Sequence, residues 1–251
     1  MTEGTPARKC PDVRAGTSGW FYDHWAGLFY PEHLPASQRL EYYATRFSTV
    51  EVNATFYRLP TEKTVLAWRD TVPEDFVFAV KGSRLITHFR RTVDAEDALD
   101  TFLGRVGLLG PKLAVVLWQL PPTLRRDDHL LNRFLDRLSR TDVRHAVEFR
   151  HASWFTGEVL DLLRTYNVAL VSASGDRLRT SFTPTANFVY ARFHGTSRYH
   201  GAYERPALEP WAAFLADQLA AGRDCYAYFN NDAEGHAPAD AARLLGMVAN
   251  G

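Results

Sequence analysis

The residues of this chain that could do chemistry gather at the ends of short apolar runs. Glu51 and Asn53 close TVEVN (49–53), Lys81 closes FVFAVK (76–81), and Gln119 closes LAVVLWQ (113–119). Glu148 and Arg150 fall at the end of HAVEF (145–149), and Arg192 and His194 at the end of FVYARFH (188–194). Asn230, Asn231 and Asp232 follow CYAYF in the last such run (225–230). In an extended strand residues i and i+2 share a face. Glu51 therefore pairs with Asn53, Glu148 with Arg150, and Arg192 with His194. Charges of both signs on one buried face need mutual pairing or a ligand, because an isolated buried charge costs too much. The residue types fit acid–base chemistry on an anionic ligand. Lys81, Arg150 and Arg192 would neutralise phosphate, Glu51 or Glu148 would act as general base, and His194 as acid or ligand orienter. Glu51 and Glu148 also form a candidate carboxylate pair of the glycosidase type.

Lys81 stands out because the chain has only four lysines, Lys9, Lys63, Lys81 and Lys112, among 29 basic residues. An imine-forming role for it is chemically open, although nothing in the sequence shows the desolvation that role requires. Basic residues also follow it in SRLITHFRR, where Arg84, His88, Arg90 and Arg91 could meet phosphate oxygens. Aromatic residues crowd the same segments: Trp20, Phe21, Tyr22 and Trp25, then Phe56 and Tyr57, Trp154 and Phe155, Tyr199 and Tyr203. They offer stacking surfaces for sugars or nucleobases, or pack loops onto a core. Plainer readings exist for the polar residues as well. Glu148 and Arg150 would form a rim bridge, His194 would bond a backbone carbonyl, and Gln119 would brace its loop. A metal site would draw on Glu51, Glu148, His88, His194 and Asp232, but no HxxxH or HExxH spacing supports it and Lys81 would repel a cation. No metal and no cofactor is assigned.

The elements that must position these residues alternate in type. Eight strand-like runs, VRAGTS (13–18), the five above, VALVSA (168–173) and CYAYFN (225–230), are separated by amphipathic segments. DDHLLNRFLDRLSR, for instance, spaces Leu130, Leu131, Phe134, Leu135 and Leu138 at helical period on one apolar face. This alternation predicts parallel βαβ units. No GxGxxG or GxxxxGK[ST] loop follows the first strand, which disfavours a doubly wound nucleotide fold. The expected fold is therefore α/β, a single (β/α)8 TIM barrel over 13–251 with a short extension at 1–12. In such a barrel the strand C-terminal ends form the rim that carries the active site.

Composition bounds the function. A chain of 251 residues, 46% hydrophobic, can bury one large core. Its 29 Lys+Arg against 29 Asp+Glu exclude a globally basic nucleic-acid coat. Two cysteines exclude a disulfide framework. The start, MTEGTPARKCPD, has no apolar leader, and the longest apolar run, LAVVLW, is too short to span a membrane. These features predict a cytoplasmic protein without membrane partners.

Seven motifs in order resemble the YecE-like family, domain-of-unknown-function family 72: GTSGW with FYP, VEVNATFYRLP, KxxRxITH, LWQLPP, VEFRHASW, ARFHG and YFNND. The resemblance runs from about residue 13 to 248 and implies a TIM barrel without a settled activity. It implies a shared cleft at Glu51, Asn53, Tyr57, Lys81, His88, Gln119, Glu148, Arg150, His194 and Asn231. The chain departs from a full rim after strand six, where VSASGDRLRTS offers only Asp176 as an acidic group. The favoured expectation is a hydrolase or lyase for a phosphorylated or nucleotide-like ligand. Catalytic candidates are Glu51, Lys81, Glu148 and His194. Ligand-binding candidates are Asn53, Tyr57, Arg84, His88, Gln119, Arg150, Trp154, Arg192, Asn230, Asn231 and Asp232. A glycosidase, or a non-catalytic barrel binding sugar or nucleic acid, is the alternative. The oligomeric state is left open.

Overall fold

The computed structural model describes residues 11–89, 96–175, 180–197 and 200–249. Arg90, Arg91, Asp176 and Tyr199 lie outside the described residues. Eight parallel strands run in the order β1-β8-β7-β6-β5-β4-β3-β2. They are β1 Val13–Thr17, β2 Thr49–Val52, β3 Val77–Lys81, β4 Leu113–Gln119, β5 Arg144–Glu148, β6 Ala169–Ser174, β7 Phe188–Phe193 and β8 Asp224–Phe229. Helices α1 Arg39–Ala44, α2 Ala54–Tyr57, α3 Glu62–Thr71, α4 Glu96–Val106, α5 Asp128–Leu138, α6 Gly157–Thr165, α7 Arg205–Ala220 and α8 His236–Ala249 complete the fold. This is the (β/α)8 arrangement that the alternating runs predicted. The β6–β7 connection is the exception, since its described residues carry no helix.

Local chemistry sets the helix ends. Asp127 and Thr156 cap α5 and α6 by accepting from the Leu130 and Val159 N–H groups. Gly222, at φ +80, follows the end of α7, where a left-handed residue lets the chain turn back.

The strands sort their side chains by alternation into two cores. Val189, Ala191 and Phe193 of β7 pack outward under the helices, whereas Phe188 and Tyr190 join the core inside the barrel. The same alternation sends Ala79, Val115, Leu117 and Ala146 inward. Two residues further along their strands come Lys81, Gln119 and Glu148, so the inward face carries polar groups at its C-terminal layer. Tyr190, Tyr226 and Tyr228 fill the layers beneath.

Side chains, rather than a backbone ladder, join β1 to β2. The Tyr43 hydroxyl from α1 accepts from the Thr17 N–H at 2.9 Å and donates to the Thr49 carbonyl at 3.0 Å. Arg14 donates to the Ser48 carbonyl at the start of this seam, and the Ser18 hydroxyl donates to Glu51 at its end. Gly16 permits the approach. A Cβ there would meet the Thr49 carbonyl oxygen at 2.3 Å.

Tyr43→Phe should therefore leave a buried donor and a buried acceptor unpaired, at a cost of about 1–3 kcal/mol. Denaturant melts should show the loss as a lower midpoint with an unchanged slope. A variant as stable as the parent would show that the seam does not depend on this hydroxyl.

Candidate functional site

Arg192, at the top of β7, has 0% of its surface exposed. Its Nη2 donates to Glu51 Oε1 at 2.7 Å, and its Nη1 to Glu148 Oε2 at 2.5 Å. Burial opposes the charge, but the two carboxylates outweigh it and raise the Arg192 pKa. Glu51 is equally sealed. Its Oε1 also accepts from Ser18 at 2.6 Å, and its Oε2 accepts from the Tyr190 hydroxyl at 2.7 Å. Burial works against ionising Glu51, yet the Arg192 charge and these hydrogen bonds leave its pKa below the ordinary value. Both Glu51 oxygens are engaged and neither Glu51 nor Arg192 has exposed surface, so the two are buried together beneath the mouth.

Glu148, 1% exposed, links this pair to the residues that follow β5. Its Oε1 pairs with the Arg150 guanidinium and lies 3.6 Å from His194 Nε2, but no aligned hydrogen bond reaches it. Burial again opposes ionisation, and the Arg192 and Arg150 charges hold the pKa well below the usual carboxylate range. The rim bridge between Glu148 and Arg150 is thus present, within a larger network. Arg150 Nη2 also approaches Gln119 Oε1 at 3.5 Å and His194 Nε2 at 3.2 Å. Asn230 Nδ2 lies 3.3 Å from His194 Nδ1 on the other side of that ring. Burial pushes His194 down to about 4 against the opposing pull of Glu148, so the imidazole is neutral at pH 7. A carboxylate pair held on one guanidinium, with both pKa values depressed, lacks the protonated member that glycoside hydrolysis needs.

Lys81 differs from these paired groups. Its ammonium sits over the Phe56 ring at 4.2 Å and has no hydrogen-bond or ion-pair partner among the described residues. Burial first, and then Arg192, lower its pKa to about 8 despite Glu148 and Glu51. The Thr55 hydroxyl donates to the Lys81 carbonyl at 2.6 Å and fixes the end of β3. Further out, Arg84 stacks over the exposed Tyr57 ring at 5.5 Å. His88 packs edge-on to Phe56 at 5.2 Å, with Nδ1 bonded to the Thr87 hydroxyl. Burial and the Lys81 and Arg84 charges lower the His88 pKa.

The structure separates the other candidates. Asn53 donates to the Ser18 carbonyl at 3.4 Å, while its Oδ1 is buried without a partner. Asn231 turns to α8 and donates to Asp240 at 2.8 Å and to the Gly201 carbonyl, bracing a loop. Trp154 is buried, stacked on Phe149 at 4.8 Å, and its Nε1 donates to the Leu124 carbonyl. Both make packing contacts in place of the expected ligand contacts. Asp232 stands on the β8 side. Its carbonyl accepts from His24 Nε2 at 2.5 Å, and burial raises its carboxyl pKa. Among the described residues no group of three or more His, Cys, Asp or Glu side chains is arranged around a common metal position. Sequence reasoning missed Ser18, Tyr43 and Tyr190. Tyr190 shared the inward face of Arg192 by the i, i+2 rule, which was the available signal.

Three cations, Lys81, Arg150 and Arg192, thus meet two carboxylates at the mouth, and Lys81 is the one without a counter-ion among the described residues. The family model for the protein of unknown function DUF72 matches residues 14–251. The chain belongs to the DUF72 family. A DUF72 protein from Thermotoga maritima superimposes with a TM-score of 0.85 at 28% identity, over 95% of this chain and 99% of that one. The UPF0759 protein YunF of Bacillus subtilis is 26% identical over 94% of each chain. The UPF0759 protein YecE of Escherichia coli is 33% identical over 57% of this chain and 50% of its own length. D-psicose 3-epimerase, at 12% identity and a TM-score of 0.57, shares the α/β barrel fold. Membership in DUF72 carries the fold and no reaction, so function rests on the side chains at the mouth.

Arg192→Met should strand two buried carboxylates and destabilise the protein by about 3–5 kcal/mol, a drop of roughly 6–20 °C in Tm for a chain of this length. The sign with pH follows from the lowered carboxylate values. Their contribution is complete above the unfolded value near 4.3 and is lost as pH falls through the folded values. In Arg192→Met burial is no longer offset by that charge, so the loss should shrink or reverse, with stability rising as pH falls from 7 towards 4 in thermal melts.

Proposed function

We propose that this DUF72 barrel is an enzyme, a hydrolase or lyase, acting on a small phosphorylated ligand at the strand C-terminal rim. The observation that carries this reading is the unpaired Lys81 ammonium beside a network whose carboxylates are already engaged. A cation held in a poorly solvated mouth attracts an anion more strongly than one in water. A phosphate group would supply the missing negative charge and enough oxygens to reach both Lys81 and Arg150. Arg84 and Tyr57, stacked at the outer edge, would flank the remainder of the ligand, whether sugar or base.

The other groups divide the work. Glu148 stays ionised across the working pH range and, paired through Oε1 with Arg150 and through Oε2 with Arg192, sets the position of the Arg150 guanidinium that would meet the ligand. A pKa that low makes it a weak base, so its main task is orientation. His194, neutral at pH 7, orients the ligand from the β7 side. Lys81, with a pKa near the working range, is the group best matched to proton donation. Glu51 and Arg192 hold Glu148 in place from behind.

Isothermal titration with inorganic phosphate, a sugar phosphate and a neutral sugar tests this reading. Binding should be confined to the phosphorylated compounds and weaken about 10- to 100-fold in Lys81→Ala, in line with a lost charge-assisted contact. Affinity should fall as pH rises through about 8, where Lys81 loses its proton. The pH series is read on the sugar phosphate, a monoester whose second ionisation, near 6, lies below that window. Lys81→Arg should bind with little change across it. Equal affinity in Lys81→Ala, or binding that is flat from pH 7 to 9, would remove the phosphate role. Glu148→Gln should keep binding and lose turnover if the barrel is an enzyme.

A further inference from the structure

We infer that Lys81 is a carbonyl-capturing amine, which forms an imine with an aldehyde or ketone group of the phosphorylated ligand. The inference rests on the phosphate reading for the ligand's charge and adds the functional group that reacts. A nucleophilic amine must be reachable, free of acceptors that hold it as ammonium, and placed where the charged form is disfavoured. Lys81 meets all three conditions. Its nitrogen lies over an aromatic face, lacks any oxygen partner among the described residues, and shares the mouth with the Arg150 and Arg192 guanidiniums. Lys112 is the contrast. Its ammonium donates to the Arg69 and Val72 carbonyls at 2.6 and 2.7 Å. Lys63 is exposed on α3, in water.

The titration of Lys81 agrees with this geometry. The groups that set it are Arg192 on β7, Glu148 and Arg150 at the end of β5, and Glu51 on β2, and burial outweighs them all. With a pKa of about 8, roughly one amine in ten is neutral at pH 7.

The step is balanced without an oxidant or reductant. The neutral amine adds to the carbonyl carbon and forms the C–N bond. The carbonyl oxygen then takes up the two amine protons and departs as water, which leaves C=N. Protonated, that imine draws electrons from the bonds at the adjacent carbon, the activation a lyase needs. The phosphate would rest on Arg150 beside Lys81, whose ammonium form draws it in, and the carbonyl of the same ligand would meet the neutral fraction of that amine.

Borohydride trapping tests the inference on the full chain. The protein is incubated with glyceraldehyde 3-phosphate or with neutral glyceraldehyde, reduced with sodium borohydride, and mapped by peptide mass. Borohydride supplies the hydride that fixes C=N as a secondary amine. With only four lysines, the map is simple to assign. The expected result is labelling of Lys81 at least tenfold faster than Lys9, Lys63 or Lys112, slowed by inorganic phosphate. Lys81→Arg should lose this label yet keep phosphate binding, which separates the amine from its charge. Labelling spread evenly over the four lysines would overturn the inference. Fast, selective labelling of Lys81 by neutral glyceraldehyde alone would keep the amine chemistry and overturn the phosphate reading.

Discussion

A guanidinium shut away from water between two carboxylates is the interaction on which the rest of the mouth depends. Arg192 comes from β7, Glu51 from β2 and Glu148 from β5, so one fork ties together three strands that never pair with each other. Removing any of these charges strands the others in a poorly solvated layer, where a lone ion costs several kcal/mol. The arrangement also fixes protonation states. Both carboxylates are held ionised, and each is consumed by the guanidinium that stabilises it. What remains for a ligand is the surplus positive charge.

The layer beneath makes that cluster possible. Tyr190 and Ser18 supply hydroxyl donors to Glu51, and Tyr228 bonds Thr49 one layer further down. These tyrosines fill the barrel interior with ring surface while their hydroxyls satisfy polar atoms, which apolar side chains could not do. The Tyr43 hydroxyl does related work between β1 and β2. The mouth is thus tied together by side chains from beneath, and the Lys81 ammonium lies above that support, over the Phe56 ring.

Much of this was legible in the sequence, for a physical reason. Strand runs such as FVYARFH and HAVEF declare themselves by β-branched and aromatic content, and the period of two names the residues that share the inward face. Glu148, Arg150, Arg192 and His194 were found that way, and the structure brings them together. Depth was not legible. The alternation that places Glu51 inward does not say that Ser18 and Tyr190, 33 and 139 residues away, will occupy its oxygens. Nor does it say that Arg192 is fully buried while Lys81 keeps part of its surface exposed. Residues past the strand ends, such as Trp154 and Asn231, follow loop geometry instead, so residue type alone did not show their contacts with Phe149, Leu124 and Asp240.

The most direct test of the account is a side-chain NMR titration of the four lysines, with the Lys81 signal identified by its absence in Lys81→Arg. The account predicts that the Lys81 signal titrates near 8, below the ordinary lysine value of about 10.4. It also predicts that the Lys81 value climbs when phosphate or a sugar phosphate is added. A Lys81 signal that titrates with the others, and does not respond to phosphate, would contradict the claim that this mouth holds an unpaired cation waiting for an anion.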